Sequence, residues 1–135
     1  MTSPALDDSD EVLLRQIHPT QYDNSHPASG QFAPSAKDDN KLSVDRSSMT
    51  TAEASHALFT GNGFASAAVY GVSVGEFGGE GLACYPDPLK AEGKLAANPA
   101  HAFADFSSVT ISRGKKIAKR LRNVAVKRGR LHPPA

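Results

Sequence analysis

Two histidines and one arginine are the residues of this chain whose types best suit catalysis. His18 and His101 each lie close to a proline, at the end of a predicted strand. Imidazole titrates near neutral pH, so two such side chains could act as acid and base on a phosphodiester or could bind a metal. Arg46, on another predicted strand, completes this candidate catalytic set. The sequence leaves a second interpretation open, in which the histidines only fix loops through hydrogen bonds to backbone carbonyls.

The C-terminal segment 113–135 is a second candidate site, because it carries nine Lys or Arg residues and no acid. Residues 1–112 hold the other six basic residues and all 14 acidic ones, a formal charge of −8. The net charge of +1 therefore conceals an acidic body and a basic end. The candidate residues for binding a protein partner or nucleic acid are Lys115, Lys116, Lys119, Arg120, Arg122, Lys127 and Arg128.

Three roles are open for this basic segment. It could dock on its own acidic domain, it could bind an acidic protein, or it could bind the phosphates of a nucleic acid. The segment contains no Phe, Tyr or Trp to stack on bases, which argues against specific recognition of single strands.

The sequence lacks the common patterns that hold metals, phosphates or cofactors. No HxH, HxxxH or CxxC pair supplies metal ligands from one element. The glycine-rich segment 75–81 lacks the GxxxxGK[ST] pattern and contains two acids, which would repel phosphate. We therefore predict a turn at 75–81, no metal and no cofactor. Cys84 is the only cysteine; it lies in an apolar run and is predicted to be a small buried side chain in a reducing compartment.

Apolar patterning predicts the elements that must position these groups. Alternation indicates strands near 42–46, 68–74 and 101–106. A short apolar strand is also predicted at 82–85, and the run at 12–18 could be a short strand or one helical turn; we favour a strand because Pro19 ends it. Thr50 and Glu53 have the spacing of a capping box and predict a helix over 51–59, ended by glycines 61 and 63. A second helix is predicted over 115–127, with Ile117, Leu121, Val124 and Ala125 on its apolar face. Residues 19–41 read as a long loop that Phe32 pins to the core.

These elements predict one α+β domain rather than two domains. We expect a small mixed or antiparallel sheet with one or two helices on a face and a basic C-terminal helix. The predicted boundaries are a disordered N-terminus at 1–9, an acidic α+β domain at 10–112 and a basic helix and tail at 113–135.

Four short segments follow one another in an order that carries a resemblance. They are LRQIHP at 14–19, QFAP at 31–34, LSVDR at 42–46 and NPAHA at 98–102. Together they resemble a widespread group of short, uncharacterised bacterial proteins that have Arg-x-Ile-His-Pro, Phe-x-Pro, Leu-Ser-Val and Pro-x-His-Ala elements before a basic end. The resemblance implies a bacterial or phage origin and no particular chemistry.

Three functions are consistent with these features. The first is a small cytoplasmic protein that binds a protein partner, for example in a toxin–antitoxin or defence module. The second is a small enzyme that uses His18 and His101 on a nucleotide-like or phosphodiester substrate. The third is a nucleic-acid-binding accessory that acts through the basic end. No window approaches the roughly 18 apolar residues of a membrane span, and residues 1–8 do not resemble a signal peptide, so no membrane contact is expected.

Overall fold

The computed structural model describes residues 3–134 and confirms the predicted α+β fold. Its main sheet is five-stranded and antiparallel, and a two-stranded ribbon lies beside it. The strands are β1 (Val12–Ile17), β2 (Tyr22–Asp23), β3 (His26–Pro27), β4 (Lys41–Arg46), β5 (Ala68–Ser73), β6 (Cys84–Pro86) and β7 (His101–Asp105). The α-helices are α1 (Ala52–Gly61), α2 (Val74–Gly79) and α3 (Ile111–Arg128).

The strand order β5-β1-β4-β7-β6 contains one weak joint. Strands β1 and β5 pair over their whole length, from Val12 opposite Ser73 to Ile17 opposite Ala68. Strands β1 and β4, in contrast, pair only at Leu13 with Arg46 and at Leu14 with Asp45. The main sheet is therefore open between β1 and β4 beyond Leu14.

The two faces of the sheet are covered by different layers. On β7, Ala102 and Ala104 are buried, whereas His101, Phe103 and Asp105 alternate with them and are half-buried. This alternation follows the period of two that was predicted from the sequence. The buried side packs against α3 through Ile117, Leu121 and Ala125, and Val124 is half-buried. The other side of the sheet faces α1.

The long connection between β1 and β4 is held down as predicted. Phe32 is fully buried in the core, and it belongs to a 3₁₀ turn, Ser29–Phe32, that lies against α3. A second 3₁₀ turn, Pro19–Gln21, and the β2–β3 ribbon fill the rest of the segment. A loop of this length is compact because one large apolar side chain anchors it.

The start of α1 differs from the prediction by one residue. The N-cap is Thr51 rather than Thr50, and its hydroxyl accepts a hydrogen bond of 3.1 Å from the amide of Ala54. Either threonine could cap the helix. The capping-box spacing to Glu53 predicted Thr50, whereas the cap is Thr51. The helix ends at Gly61, and Gly63 adopts a φ of +91°, as the glycine signal indicated.

The prediction of a turn at 75–81 was wrong, because most of this segment is helix α2. Ser73 caps it: the Ser73 hydroxyl accepts from the Glu76 amide at 3.0 Å, and the Glu76 carboxylate accepts from the Ser73 amide at 2.7 Å. Val74 and Phe77, three residues apart, both point into the core. The three glycines of this helix, Gly75, Gly78 and Gly79, raise the cost of its formation, and burial of the Phe77 ring offsets that cost.

An almost fully buried carboxylate joins the start of β1 to the end of β4. Glu11 receives two hydrogen bonds from Arg46, at 3.1 and 3.0 Å, and further bonds from the amide and the hydroxyl of Ser48. Burial opposes ionisation of Glu11, but the hydrogen bonds from Arg46 and Ser48 outweigh it and lower the pKa of the carboxyl. The pair closes the end of the main sheet at which β1 and β4 are still joined.

The N-terminal segment and Cys84 also meet the core. The amide of Leu6 donates to the carbonyl of Cys84 at 2.8 Å, and the Leu6 side chain packs against the core, although the sequence placed this residue in a disordered tail. Cys84 itself is buried, as predicted, and its burial raises the pKa of the thiol to about 12. This thiol is therefore a packing group rather than a nucleophile.

We predict that Glu11→Gln lowers the free energy of unfolding by about 1–3 kcal/mol, since it leaves the Arg46 guanidinium without its charged partner. The pKa of Glu11 is lowered in the folded state, so the pair stabilises the protein above the ordinary carboxyl pKa and ceases to do so as the pH falls through the folded value. Urea denaturation across acidic pH should show the two proteins converging. Asp7→Asn, at an exposed position, is the control; equal stability of both variants at neutral pH would contradict the prediction.

Candidate functional site

A large cavity lies between the main sheet and the layer that contains α1. Its volume is about 790 Å³, within the range of small-molecule binding sites. The floor comes from β1, β4 and β7, one wall comes from α1, and the roof comes from residues 89–98. We call this space the interlayer cavity.

The roof is a short hairpin. Leu89 pairs with Asn98, and Glu92 pairs with Leu95 around a turn at Gly93. The hairpin is tied to α1 because the amide of Ala96 donates to the Asn62 side chain at 2.9 Å. We call residues 89–98 the roof hairpin.

Apolar side chains line the upper part of the interlayer cavity. Phe59 and Phe64 stack on each other with ring centroids 5.0 Å apart. Leu58 lies on the same helix as Phe59, and Leu89 and Leu95 face the cavity from the roof hairpin. Phe64, Leu89 and Leu95 are 40–50% exposed although they are large and apolar. This surface is suited to a planar or apolar molecule.

The floor is held in place by a chain of hydrogen bonds centred on Asp45. One Asp45 oxygen accepts from the Ser55 hydroxyl at 2.6 Å, and the other accepts from the Asn98 amide at 2.8 Å. Ser55 accepts from Gln16 at 2.9 Å, and Gln16 in turn accepts from the Ser66 hydroxyl at 2.7 Å. These four bonds join β4, α1, the roof hairpin and β1, so both sides of the cavity are fixed to its floor.

His101 lines the cavity, and one of its two ring nitrogens has a hydrogen-bond partner. Its Nδ1 lies 2.9 Å from the Asp87 carbonyl and 3.3 Å from the Asp87 carboxylate, and its side chain is 14% exposed. The other ring nitrogen, Nε2, has no hydrogen-bond partner among residues 3–134. Every buried side-chain nitrogen and oxygen of these residues does have a partner. Nε2 is therefore accessible, while Asp87 orients the ring. This is the arrangement of a general acid or base.

His18 lines the same cavity but lies far from His101. Their similar places beside Pro19 and Pro99 predict that they lie close together at the ends of neighbouring strands, and this prediction was wrong. Strand β4 lies between β1 and β7, so the two strands are about 10 Å apart. Asp45 on β4 pairs with Leu14 on β1 and with His101 on β7, so His101 and Leu14 lie at the same height in the sheet. His18 comes four residues after Leu14, which places it roughly 13 Å further in the strand direction. The geometry does not support a paired action of the two imidazoles on one bond.

Arg46 does not line the interlayer cavity, because its guanidinium is committed to Glu11. The arginine that does line it is Arg15, which the sequence analysis did not select. Arg15 donates from Nε to the Gln31 carbonyl at 2.7 Å and from Nη1 to the Ser43 carbonyl at 3.1 Å. Burial lowers the pKa of its guanidinium to about 10, and the Asp38 carboxylate acts in the opposite direction. The side chain is therefore charged at neutral pH. A cation in an otherwise apolar strand pattern was the available signal.

The basic segment is a docked helix rather than a free arm. Arg120 makes a bidentate pair with Glu80, and Arg128 makes one with Glu76, both on or next to α2. At Glu76, burial is the largest single effect and raises the pKa, but the hydrogen bonds from Arg128 and Ser73 together outweigh it and lower the pKa of the carboxyl. At Glu80, the hydrogen bond from Arg120 is the largest effect, and the pKa of the carboxyl is lowered despite burial. Arg122 donates to the Pro27 carbonyl at 3.0 Å. Three of the seven candidate cations are thus occupied within the domain.

The other four candidates lie on the outer side of α3. They are Lys115, Lys116, Lys119 and Lys127, all exposed and without an ion pair in the described part of the chain. We call them the lysine face. Among residues 3–134, no cluster of three or more His, Cys, Asp or Glu side chains is arranged to hold a metal ion.

No protein-family model, curated protein or solved structure matches this chain. The resemblance to short bacterial proteins therefore stays a prediction, and any argument for function rests on the geometry. No helix within residues 3–134 is long and apolar enough to cross a membrane.

We predict that Ser55→Ala lowers the free energy of unfolding by about 1–3 kcal/mol, because it leaves the buried Asp45 and the half-buried Gln16 each with an unmet hydrogen bond. Ser47→Ala, at an exposed position, should cost almost nothing. Chemical denaturation followed by circular dichroism measures both. If the two variants are equally stable, the Asp45 network does not hold the cavity together.

Proposed function

We propose that this protein binds a nucleotide-like small molecule in the interlayer cavity and that His101 moves a proton on it. This is the second of the three functions that the sequence allowed. The observation that carries it is the pairing of two unlike surfaces across one space: stacked Phe59 and Phe64 on one side, and the floor with His101 on the other.

The apolar side supports a planar group. A heterocycle could stack on Phe59 or Phe64 and contact Leu95. Such contacts do not depend strongly on which heterocycle is bound. The exposure of Phe64, Leu89 and Leu95 is costly unless another molecule covers them. A bound ligand would provide that cover.

The polar side supports a reaction as well as binding. His101 Nε2 is accessible, and Asp87 contacts Nδ1 and orients the ring. Only one histidine is proposed to act, because His18 is too distant to share the same bond. A cytoplasmic location remains part of this proposal and follows from the sequence alone.

The test of ligand binding uses adenosine and nuclear magnetic resonance. We expect adenosine to perturb the amide signals of residues 58–64 and of the roof hairpin. Leu95→Asp, which places a charge in the roof, should weaken binding about tenfold or more. The matched control is Ile111→Asp, since Ile111 is 84% exposed and lies outside the cavity. Absence of shifts at saturating adenosine, or equal affinity of both variants, would refute the proposal.

A second function, binding of an acidic protein segment, is favoured by the lysine face. The four lysines share one side of a rigid helix, and no acid of the described residues forms an ion pair with them. The rest of the molecule is acidic, so a local acidic segment suits this patch better than a long polyanion. A toxin–antitoxin or defence setting for such a partner stays a sequence-based prediction.

We predict that Lys116→Glu with Lys119→Glu slows association with a polyglutamate peptide and flattens its dependence on salt. Both positions are exposed, so the domain should remain folded. The double variant Lys37→Glu with Lys94→Glu makes the same charge change elsewhere and is the control. Stopped-flow fluorescence gives the rates. Tighter binding of duplex DNA than of the peptide by the unmodified protein would favour the nucleic-acid role instead.

A further inference from the structure

We infer that the interlayer cavity has an anion-binding end, built around Arg15, that takes a phosphate group of its ligand. This inference rests on the proposed ligand site and goes beyond it by assigning the ligand's charge and its orientation. It arises from the opening between β1 and β4, where Arg15 is the first residue beyond the last pair of the two strands.

Arg15 has donors to spare and no anionic partner. Its guanidinium carries five N–H groups, of which the Gln31 and Ser43 carbonyls use two. It forms no ion pair with any carboxylate of the described residues, and Asp38, which acts on it through space, is hydrogen-bonded by Ser35. Every buried side-chain nitrogen among residues 3–134 has a hydrogen-bond partner. The Nη2 group of Arg15 has no partner, so it is accessible. Arg15 lines the interlayer cavity.

Gln31 adds a second donor at the same end. Its Oε1 accepts a hydrogen bond of 2.9 Å from the amide of His18, and this bond fixes the orientation of the side-chain amide. The Nε2 group of Gln31 is then left to donate, and no acceptor is bonded to it among residues 3–134. Gln31 lines the cavity together with Arg15.

His18 and Ser43 complete the set. The Nδ1 of His18 accepts from the Thr20 amide at 3.2 Å, so in the neutral ring the proton lies on Nε2, which becomes a donor. The Ser43 hydroxyl is exposed on β4 and is not engaged by another described side chain. Both residues line the cavity.

The two ends of the cavity therefore differ in kind. Arg15, Gln31, His18 and Ser43 can all donate hydrogen bonds at one end, and a tetrahedral phosphate with several oxygens can receive them together. At the other end, Asp45 and Asn98 are already bonded to each other and His101 is available for proton transfer. A nucleoside monophosphate could bind with its phosphate at Arg15 and its base under the roof hairpin. In this role His18 is a binding residue.

The experiment compares adenosine, adenosine 5′-monophosphate and inorganic phosphate by titration calorimetry, on the full chain. We expect the monophosphate to bind about tenfold or more tightly than adenosine. Gln31→Glu should abolish this preference, because the carboxylate still accepts from the His18 amide but places a negative charge beside Arg15. Gln21→Glu makes the same exchange at an exposed position outside the cavity and should change neither affinity.

The outcomes separate the two proposals. If adenosine binds and the monophosphate binds no more tightly, or if Gln31→Glu keeps the preference, the anion-binding end is refuted and the proposed ligand site stands. If inorganic phosphate binds and Gln31→Glu abolishes this while adenosine does not bind, the anion-binding end stands and the proposed function fails. Binding of none of the three molecules overturns both. Arg15→Met provides a second variant, and its circular dichroism spectrum shows whether a loss of binding reflects unfolding.

Discussion

The short pairing between β1 and β4 is the constraint on which this molecule is built. Two residue pairs join these strands, whereas β1 is paired with β5 along its whole length. A sheet interrupted at its centre exposes backbone groups that must find other partners. Arg15 supplies part of the solution, because it donates to the Ser43 carbonyl on β4 and to the Gln31 carbonyl in the neighbouring 3₁₀ turn. Arg15 also lines the interlayer cavity, so the residue that bonds these backbone groups also belongs to the candidate site.

The layer that covers this opening is held by polar contacts more than by apolar packing. α1 buries only one residue, Ser55, which is polar, and the residues of the roof hairpin are almost all exposed. Their attachment depends on Asp45, which bonds Ser55 on α1 and Asn98 on the roof hairpin. The opposite side of the sheet is different, since α3 buries Ile117, Leu121 and Ala125 and adds ion pairs to α2. We therefore expect the roof hairpin to open with less free energy than the α3 side of the domain.

The parts of the fold that the sequence predicted are those with a local pattern. The period-two alternation of β7 and the apolar spacing of α3 each come from neighbours along the chain. The helix α2 was missed because its glycines mask a capping box between Ser73 and Glu76, and the decisive burial of Phe77 is a tertiary effect. The site was harder still. Asp45 and Asn98 lie 53 residues apart, and only the fold brings them together. Arg15 and Arg46 look alike as strand cations, and nothing local tells which one pairs with Glu11.

A crystal structure of the complex with adenosine 5′-monophosphate tests the central claim most directly, since it locates both parts of the ligand at once. The account predicts the base between the floor and the apolar side formed by Phe59 and Leu95, the phosphate within hydrogen-bond distance of Arg15 and Gln31, and the Asp45 contacts intact. A nucleotide bound outside the interlayer cavity, for example on the lysine face, would contradict the account. So would a phosphate at the His101 end with Arg15 still bonded only to the two carbonyls.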